Sequence, residues 1–228
     1  MRVALAQVSQ GPLVDWSWIW GHTDDIASRL LQHIRLTAIA VSLGFAISLV
    51  LSLLVVRWHR LYGLVASVAG ILYTIPSLAL FGVLVTITGA TTTTAEIALV
   101  SYTLLILIRN IVAGLDGVPR DVREAAVGMG LSPRQVLFKV DFPLALPVIV
   151  AGLRIATVTT IGLVTIAATI GVDNLGTFIT EGLAKFFMTE VLLGAVLAIA
   201  LAVVADLALL GVQRMIAPWS RRTAGAGR

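Results

Sequence analysis

From Leu36 to Val56 the chain carries no charged side chain, and from Leu61 to Ala95 it again carries none. A run of about 20 apolar residues is what an α-helix needs to cross the hydrocarbon core of a bilayer. In lipid every backbone polar group must find its partner inside the protein, so such runs are helical. Leu36–Val56 is one span. Leu61–Ala95 is too long for a single span, and Gly89 with Thr91–Thr94 reads as its exit turn. Further spans run from about Thr94 to Gly114, with Glu96 at one end and Arg109 near the other, from about Pro147 to Ile170, and from about Val191 to Gln213. The expected class is therefore all-α, a polytopic membrane helix bundle with five transmembrane helices. Composition agrees: 58% of residues are hydrophobic and 12% charged, against roughly a quarter charged in soluble domains, and the mean hydropathy is +1.00. The chain has no cysteine, and His22, His33 and His59 are too scattered to form a metal site. Residues 1–30 lack the apolar core and small-residue cleavage site of a secretory leader.

The net charge of +4 speaks to orientation in a membrane rather than to nucleic acid. Cytoplasmic loops collect Lys and Arg. If the polar stretch Leu115–Phe142 faces the cytoplasm, Arg57, Arg60, Arg109, Arg120, Arg123, Arg134, Lys139, Arg154, Arg214, Arg221, Arg222 and Arg228 lie at or near the inner side. Only Arg2, Arg29, Arg35 and Lys185 lie outside. This places the N-terminus out and the C-terminus in. One domain then covers 1–228, with a periplasmic segment at 1–35, a cytoplasmic loop at 115–142 and a cytoplasmic tail at 214–228. Trp16, Trp18 and Trp20 precede the first span and read as an interfacial aromatic belt. Ala38, Ser42 and Ala46 repeat every four residues and suggest close helix packing, in the bundle and at a subunit interface.

The polar loop carries two sets of helix signals. Asp121 stands three residues before Glu124, a capping-box spacing that predicts a short helix from Val122. Gly130 can take the left-handed conformation that ends it. Ser132 then caps a second helix, with Pro133 in its first turn and Gln135 at the third position. Pro143 and Pro147 are expected to end or bend that helix. The small side chains of Ala125 and Ala126 allow another surface to approach closely.

In this loop Glu124-Ala125-Ala126, then Gly130, then Val140-Asp141-Phe142-Pro143 resembles the EAA loop of type I ABC importer permeases. Val140 and Phe142 depart mildly from the usual Ile-x-Leu-Pro ending. The resemblance implies that the first short helix is a coupling helix seated in a groove of an ATP-binding subunit. Glu124, Ala125, Ala126 and Gly130 are carried over on that basis, with a mechanical rather than catalytic role, and Asp121, Leu131, Ser132 and Pro133, from the helix signals around them, complete the expected coupling region. Five stretches narrow the likeness to the glycine betaine, carnitine, choline and proline uptake branch. They are His33-Ile34-Arg35-Leu36-Thr37, Thr74-Ile75-Pro76-Ser77-Leu78-Ala79-Leu80-Phe81, Arg109-Asn110-Ile111-Val112-Ala113-Gly114, Pro143-Leu144-Ala145-Leu146-Pro147-Val148-Ile149 and Ala167-Ala168-Thr169-Ile170-Gly171. Similar permeases often carry a glycine run after the fourth span, where this chain has Gly171-Val172-Asp173-Asn174-Leu175-Gly176.

Polar groups inside spans tend to face a cavity or the bundle interior. Pro76 breaks the second span near its middle, beside Tyr73, Thr74 and Ser77. Asn110 lies near the inner end of the third. These residues and Asp206 are the candidates for a translocation path; kinking at Pro76 and interhelical bonding by Asn110 are the structural alternatives. Arg154, two turns into the fourth span, is read as an anchor to the inner headgroups. Asp206 lies roughly 12 Å along its helix from Arg214, so its partner is expected on another span. The fourth-span threonines can bond their own backbone and prove little.

No Gly-x-x-x-x-Gly-Lys-Ser/Thr loop occurs in the chain, so ATP and Mg are expected on a partner ATPase, with no cofactor on this chain. The expected function is passage of a small osmoprotectant through the inner membrane. The expected partners are cytoplasmic ATP-binding subunits, a second permease chain (identical or a sister), an extracytoplasmic substrate-binding protein and the lipid bilayer, with no nucleic acid. The alternatives are another solute such as an amino acid or organic anion, a secondary transporter, and a purely structural membrane subunit.

Overall fold

The computed structural model describes residues 13–217; Arg2, Arg221, Arg222 and Arg228, and the expected tail beyond residue 217, lie outside them. Among the described residues every regular element is helical. In chain order these are α1 (Trp16–Gly21), α2 (Thr23–Arg57), α3 (Tyr62–Thr74), α4 (Ser77–Thr88), α5 (Thr92–Asp116), α6 (Arg120–Gly128), α7 (Pro133–Val136), α8 (Phe142–Ala167), α9 (Leu175–Lys185) and α10 (Met188–Ile216). Short 3₁₀ turns cover His59–Leu61 and Ala168–Ile170, and a π turn covers Leu137–Asp141.

Thr23–Arg57, Thr92–Asp116, Pro133–Ile170 and Met188–Ile216 are each long and apolar enough to cross a membrane. The second span is broken near its middle, at Pro76, as expected. His59–Thr74 and Ser77–Thr88 meet at a bend of 94°. The break falls at Ile75–Pro76, because proline cannot donate to the preceding turn and disfavours helical backbone in the residue before it. Ile75 is extended at φ −65° and ψ 128°. The exit turn is where the sequence puts it, with Gly89 at φ +76° and Thr94 Oγ1 donating to the Gly89 carbonyl.

The first span begins earlier than Leu36. α2 starts at Thr23 and runs through Asp24, Asp25 and Arg29. Acids in the first turn suit the positive end of the helix dipole, and Arg29 pairs with Asp25 one turn back at 3.0 Å. Charge in this stretch therefore marks the end of the apolar run without ending the helix.

Contacts divide the chain into two compact units. One gathers residues 13–39, 76–99 and 161–203 of those described. Its core is Leu175, Phe178 and Ala198, with Trp18, Ile26 and Leu30 packed on it. Trp18 stacks on His22 with centroids 4.1 Å apart and meets Phe178 and Phe187 edge-on. It is thus part of a folded aromatic cluster, whereas Trp16 and Trp20 are the exposed members of the expected belt. Gly176 lies so close to α8 that a Cβ there would sit 2.1 Å from the Thr165 carbonyl oxygen. Asn174 caps α9 in a full capping box with Thr177. Arg29 lies 4.4 Å over the Phe178 ring and reaches Glu181 at 3.5 Å, while Lys185 bridges Glu181 and Glu190 at 3.2 Å each. Burial works to raise the Glu181 carboxyl, but the cations Lys185 and Arg29 outweigh it and hold it below its ordinary range. The bonds to Glu181 and Glu190 push Lys185 up.

The other unit gathers residues 40–75, 100–160 and 204–217. Leu107, Ile111 and Leu115 recur every four residues on α5 and pack against Ala145, Ile149 and Ala156 of α8, with Phe45, Leu49 and Leu53 of α2 beside them. Close approach is set by small residues. A Cβ on Gly152 would lie 2.3 Å from the Asn110 Cβ. Within this unit the buried stripe of α2 runs through Gly44, Ser48 and Ser52, and Ser42 and Ala46 are exposed; in the first unit His33 and Thr37 are buried and Ala38 is exposed.

Candidate functional site

The loop after α5 is a compact, tied-down element. α6 begins at Arg120, two residues before the expected start, with Pro119 at the cap position and no side-chain cap bond. The Asp121–Glu124 capping box is therefore not formed. Pro119 takes the extended cap position itself, at φ −58° and ψ 139°, and both acids are exposed. Gly130 ends the helix as expected, at φ +84°. Its N–H reaches the Val127 carbonyl and the Leu131 N–H reaches that of Ala126, the two bonds of a Schellman turn. Ser132 follows at once. It caps α7 in a complete capping box with Gln135, with Pro133 in the first turn.

The helix that starts at Pro133 does not end at Pro143 or Pro147. It passes through the π turn Leu137–Asp141 into α8, which contains Pro147. Pro143 follows close on that π turn, where the Phe142 N–H bonds back to the Leu137 carbonyl and the helix is locally widened.

Arg123 and Asp141 tie this loop down, and sequence reasoning gave Arg123 no such role. The Arg123 guanidinium donates to Asp141 Oδ1 at 2.7 Å and to the Leu115 carbonyl at the end of α5. One side chain thus binds α6 to the helices before and after it. The two partners are 18 residues apart, a spacing with no local periodicity to reveal it. Ala126 is 1% exposed and packs inward, while Asp121, Glu124, Ala125 and Gly130 face outward. The outward surface also presents Val122, Val127 and Met129, three apolar side chains on an otherwise polar loop. Beside it, Leu53, Val56, Arg57, Ser132, Pro133, Arg134, Leu137 and Asp141 line a cavity of about 690 Å³.

The candidate path residues do not form one cluster. Tyr73 is partly exposed and lies edge-on to Tyr102, centroids 6.1 Å apart. The Tyr102 hydroxyl donates to the Ile75 carbonyl at 2.7 Å, so Tyr102, unremarked in the sequence, satisfies a carbonyl at the helix break. Thr74 bonds its own helix at the Ile71 carbonyl. Pro76 opens α4, where its carbonyl accepts from Leu80, and Ser77 is half-buried in the first turn. Asn110 donates to the Ile106 carbonyl of its own helix while its side chain packs on Gly152. Asp206 accepts from Arg154 through both oxygens, at 2.9 and 2.8 Å. Its partner is thus on another span, and Arg154 points to that carboxylate and to Gln213 instead of serving as a headgroup anchor.

The family described as binding-protein-dependent transport system inner membrane component matches residues 44–222. The chain is 37% identical to the osmoprotectant import permease protein OsmW of Salmonella typhimurium, over 85% of this chain and 92% of that one. It is 32% identical to the choline transport system permease protein OpuBB of Bacillus subtilis, over 85% and 89%. It is 34% identical to the carnitine transport permease protein OpuCB of Listeria monocytogenes, over 86% and 90%. Among solved structures it is similar to the MetNI methionine ABC transporter in an inward-facing conformation, with a TM-score of 0.74 at 21% identity over 89% of this chain and 99% of that one. An amino acid ABC transporter gives 0.75 at 19% identity, with the same coverages. These two likenesses show the fold, that of type I ABC transporter permeases. With its apolar spans and its anchored, outward-facing loop helix, this multi-pass inner-membrane chain belongs to the binding-protein-dependent transport family and is the permease subunit of an ABC importer.

Proposed function

We propose that this permease forms the translocation path for a small osmoprotectant such as glycine betaine, choline, carnitine or proline. The observation that carries the substrate class is the near full-length similarity to relatives named for osmoprotectant, choline and carnitine transport. The chain itself hydrolyses nothing. ATP and Mg bind a cytoplasmic ATPase, and this chain holds no cofactor. α6 is the coupling helix: Asp121, Glu124, Ala125, Val122, Val127 and Met129 meet the ATPase, and Arg123 carries its displacement to α5 and α8. A second permease chain, identical or a sister, completes the path, and a substrate-binding protein delivers the solute from outside.

The N-terminus lies outside and the C-terminus inside, with the bent pair counted as one crossing. Two observations support this. The Ala90–Thr92 turn shares a cavity of about 750 Å³ with Ser28–Arg35 near the start of α2, whereas the bent pair begins at His59, just after that helix ends. The chain therefore returns to the end from which α2 set out. The positive charges of the α6 loop then fall on the inner side with Arg57 and Arg60.

The test is reconstitution of the permease with its ATPase and binding protein in lipid vesicles, followed by ATP-dependent uptake of labelled betaine, choline, carnitine and proline. Uptake of one of them at the expense of ATP is the expected result. Transport of none of them, or uptake that persists without the ATPase and collapses with the ion gradient, overturns the proposal.

A further inference from the structure

The lower half of α10 is held to its neighbours in an unusual way. No residue from 204 to 216 is buried, and none joins the apolar clusters that knit α2, α5 and α8 together. What the structure places there is a polar lattice. Arg154 donates to both oxygens of Asp206, at 2.9 and 2.8 Å, and to Gln213 Oε1 at 3.3 Å. Gln213 Nε2 in turn donates to the Pro147 carbonyl at 3.0 Å.

The register is informative. Arg154 stands opposite Asp206, and Pro147 stands opposite Gln213. Each pair of anchors is seven residues apart on its own helix, two turns or roughly 10 Å. α8 and α10 are thus antiparallel here and stitched at two levels, which opposes both sliding and rotation of one against the other. Asp206 lies ten residues from Ile216, the end of α10, or roughly 15 Å into the span. At that depth a lone charge is costly, and a bidentate Arg–carboxylate pair is both strong and directional.

We infer that Arg154, Asp206 and Gln213 are positioning residues of the transport cycle. They make the fifth span move with the fourth, which is the helix that Asp141 and Arg123 join to the coupling loop. A movement imposed on α6 passes through Arg123 to α8 and through Arg154 to α10. In this role the three act by holding α10 to α8 and not by binding the solute. The inference rests on the importer reading above.

The experiment uses the assembled transporter, permease with ATPase and binding protein, in vesicles. The wild-type complex first establishes ATP-driven uptake, so failure there counts against the function and not against the clamp. Arg154→Gln and Asp206→Asn are then compared with it. The expected result is a fall of about tenfold in maximal uptake, the equivalent of ~1.4 kcal/mol of coupling. KM for the solute stays unchanged, and ATP hydrolysis rises per solute moved. The exchanged pair Arg154→Asp with Asp206→Arg recovers much of the rate. So does Arg154→Cys with Asp206→Cys joined by a short bifunctional thiol reagent applied to the purified permease before assembly, where the otherwise cysteine-free chain offers no other thiol. That recovery separates a tether from a fold defect. Three results overturn the inference: uptake unchanged in both single variants; a raised KM or altered solute preference at normal maximal rate, which places the pair in the solute path; or no recovery in either the exchanged or the crosslinked form.

Discussion

Replacing Arg123 by alanine tests the most connected side chain of the coupling loop. Its guanidinium makes two bonds, one to the Asp141 carboxylate at 2.7 Å and one to the Leu115 carbonyl. Asp141 is only 8% exposed, so once Arg123 is gone water compensates it poorly. A hydrogen bond to a charged group contributes about 1.5–3 kcal/mol, and an orphaned buried acceptor costs about 1–3 kcal/mol. Arg123→Ala should therefore destabilise by about 3 kcal/mol. Asp141→Ala should cost less, about 1.5 kcal/mol, because Arg123 keeps its bond to Leu115 and is itself exposed enough to reach water. The double variant leaves no buried charge behind, and should cost no more than Arg123→Ala alone. The two losses are then non-additive by at least about 1.5 kcal/mol. For a chain of this size about 3 kcal/mol corresponds to a fall of about 6–12 °C in melting temperature, measurable on the purified permease in mild detergent. ATP-driven uptake should fall in parallel, since α6 loses its tie to α5 and α8. Losses that add to within about 0.5 kcal/mol would show two independent sites and refute the reasoning.

Three further outcomes follow from the geometry. Gly176→Ala should cost about 3 kcal/mol or more, since its Cβ would lie 2.1 Å from the Thr165 carbonyl oxygen; Gly162→Ala, with nothing within 4 Å, is the control that should express and melt like the parent. Gly130→Ala meets no neighbour but must hold φ at +84°, so strain alone should cost about 1–2 kcal/mol, with Gly130→Asn better tolerated in the same uptake and melting assays. The charge cluster on α9 should make stability depend on pH at both ends. Glu181 is held below its ordinary 4.5, so its contribution is present above that value and lost as pH falls through the folded value. Lys185 is raised above 10.5, so its contribution is present below that value and lost as pH rises through the folded one. Glu181→Gln should flatten the acid side of a melting-temperature profile.

The uncharged runs, the exit turn at Gly89, the Gly130 stop and the Ser132-Pro133-Gln135 start were legible in the residues, because each depends on chemistry within a few positions. Hydrocarbon length counts residues, left-handed backbone asks for glycine, and a capping box spans three residues. Other features were decided by residues outside the local pattern, most of them far along the chain. The charge-free run places the first span from Leu36, but the helix runs on through Asp24, Asp25 and Arg29, and Phe178 and Glu181, about 150 residues away, give Arg29 a place to sit. The Asp121–Glu124 spacing promised a capping box, yet Pro119 set the start of α6, while Arg123 was drawn to Asp141 and the Leu115 carbonyl. Ala126 reads like Ala125 in the sequence, and only packing turns one inward and leaves the other for a partner. The pairing of Arg154 with Asp206 shows the same division. The sequence by itself pointed to a partner on another helix for the acid deep in the fifth span, because burying a charge alone is costly. Only the antiparallel register of α8 and α10 decided which side chain that partner is, since long-range pairing depends on the positions of helices that no local pattern encodes.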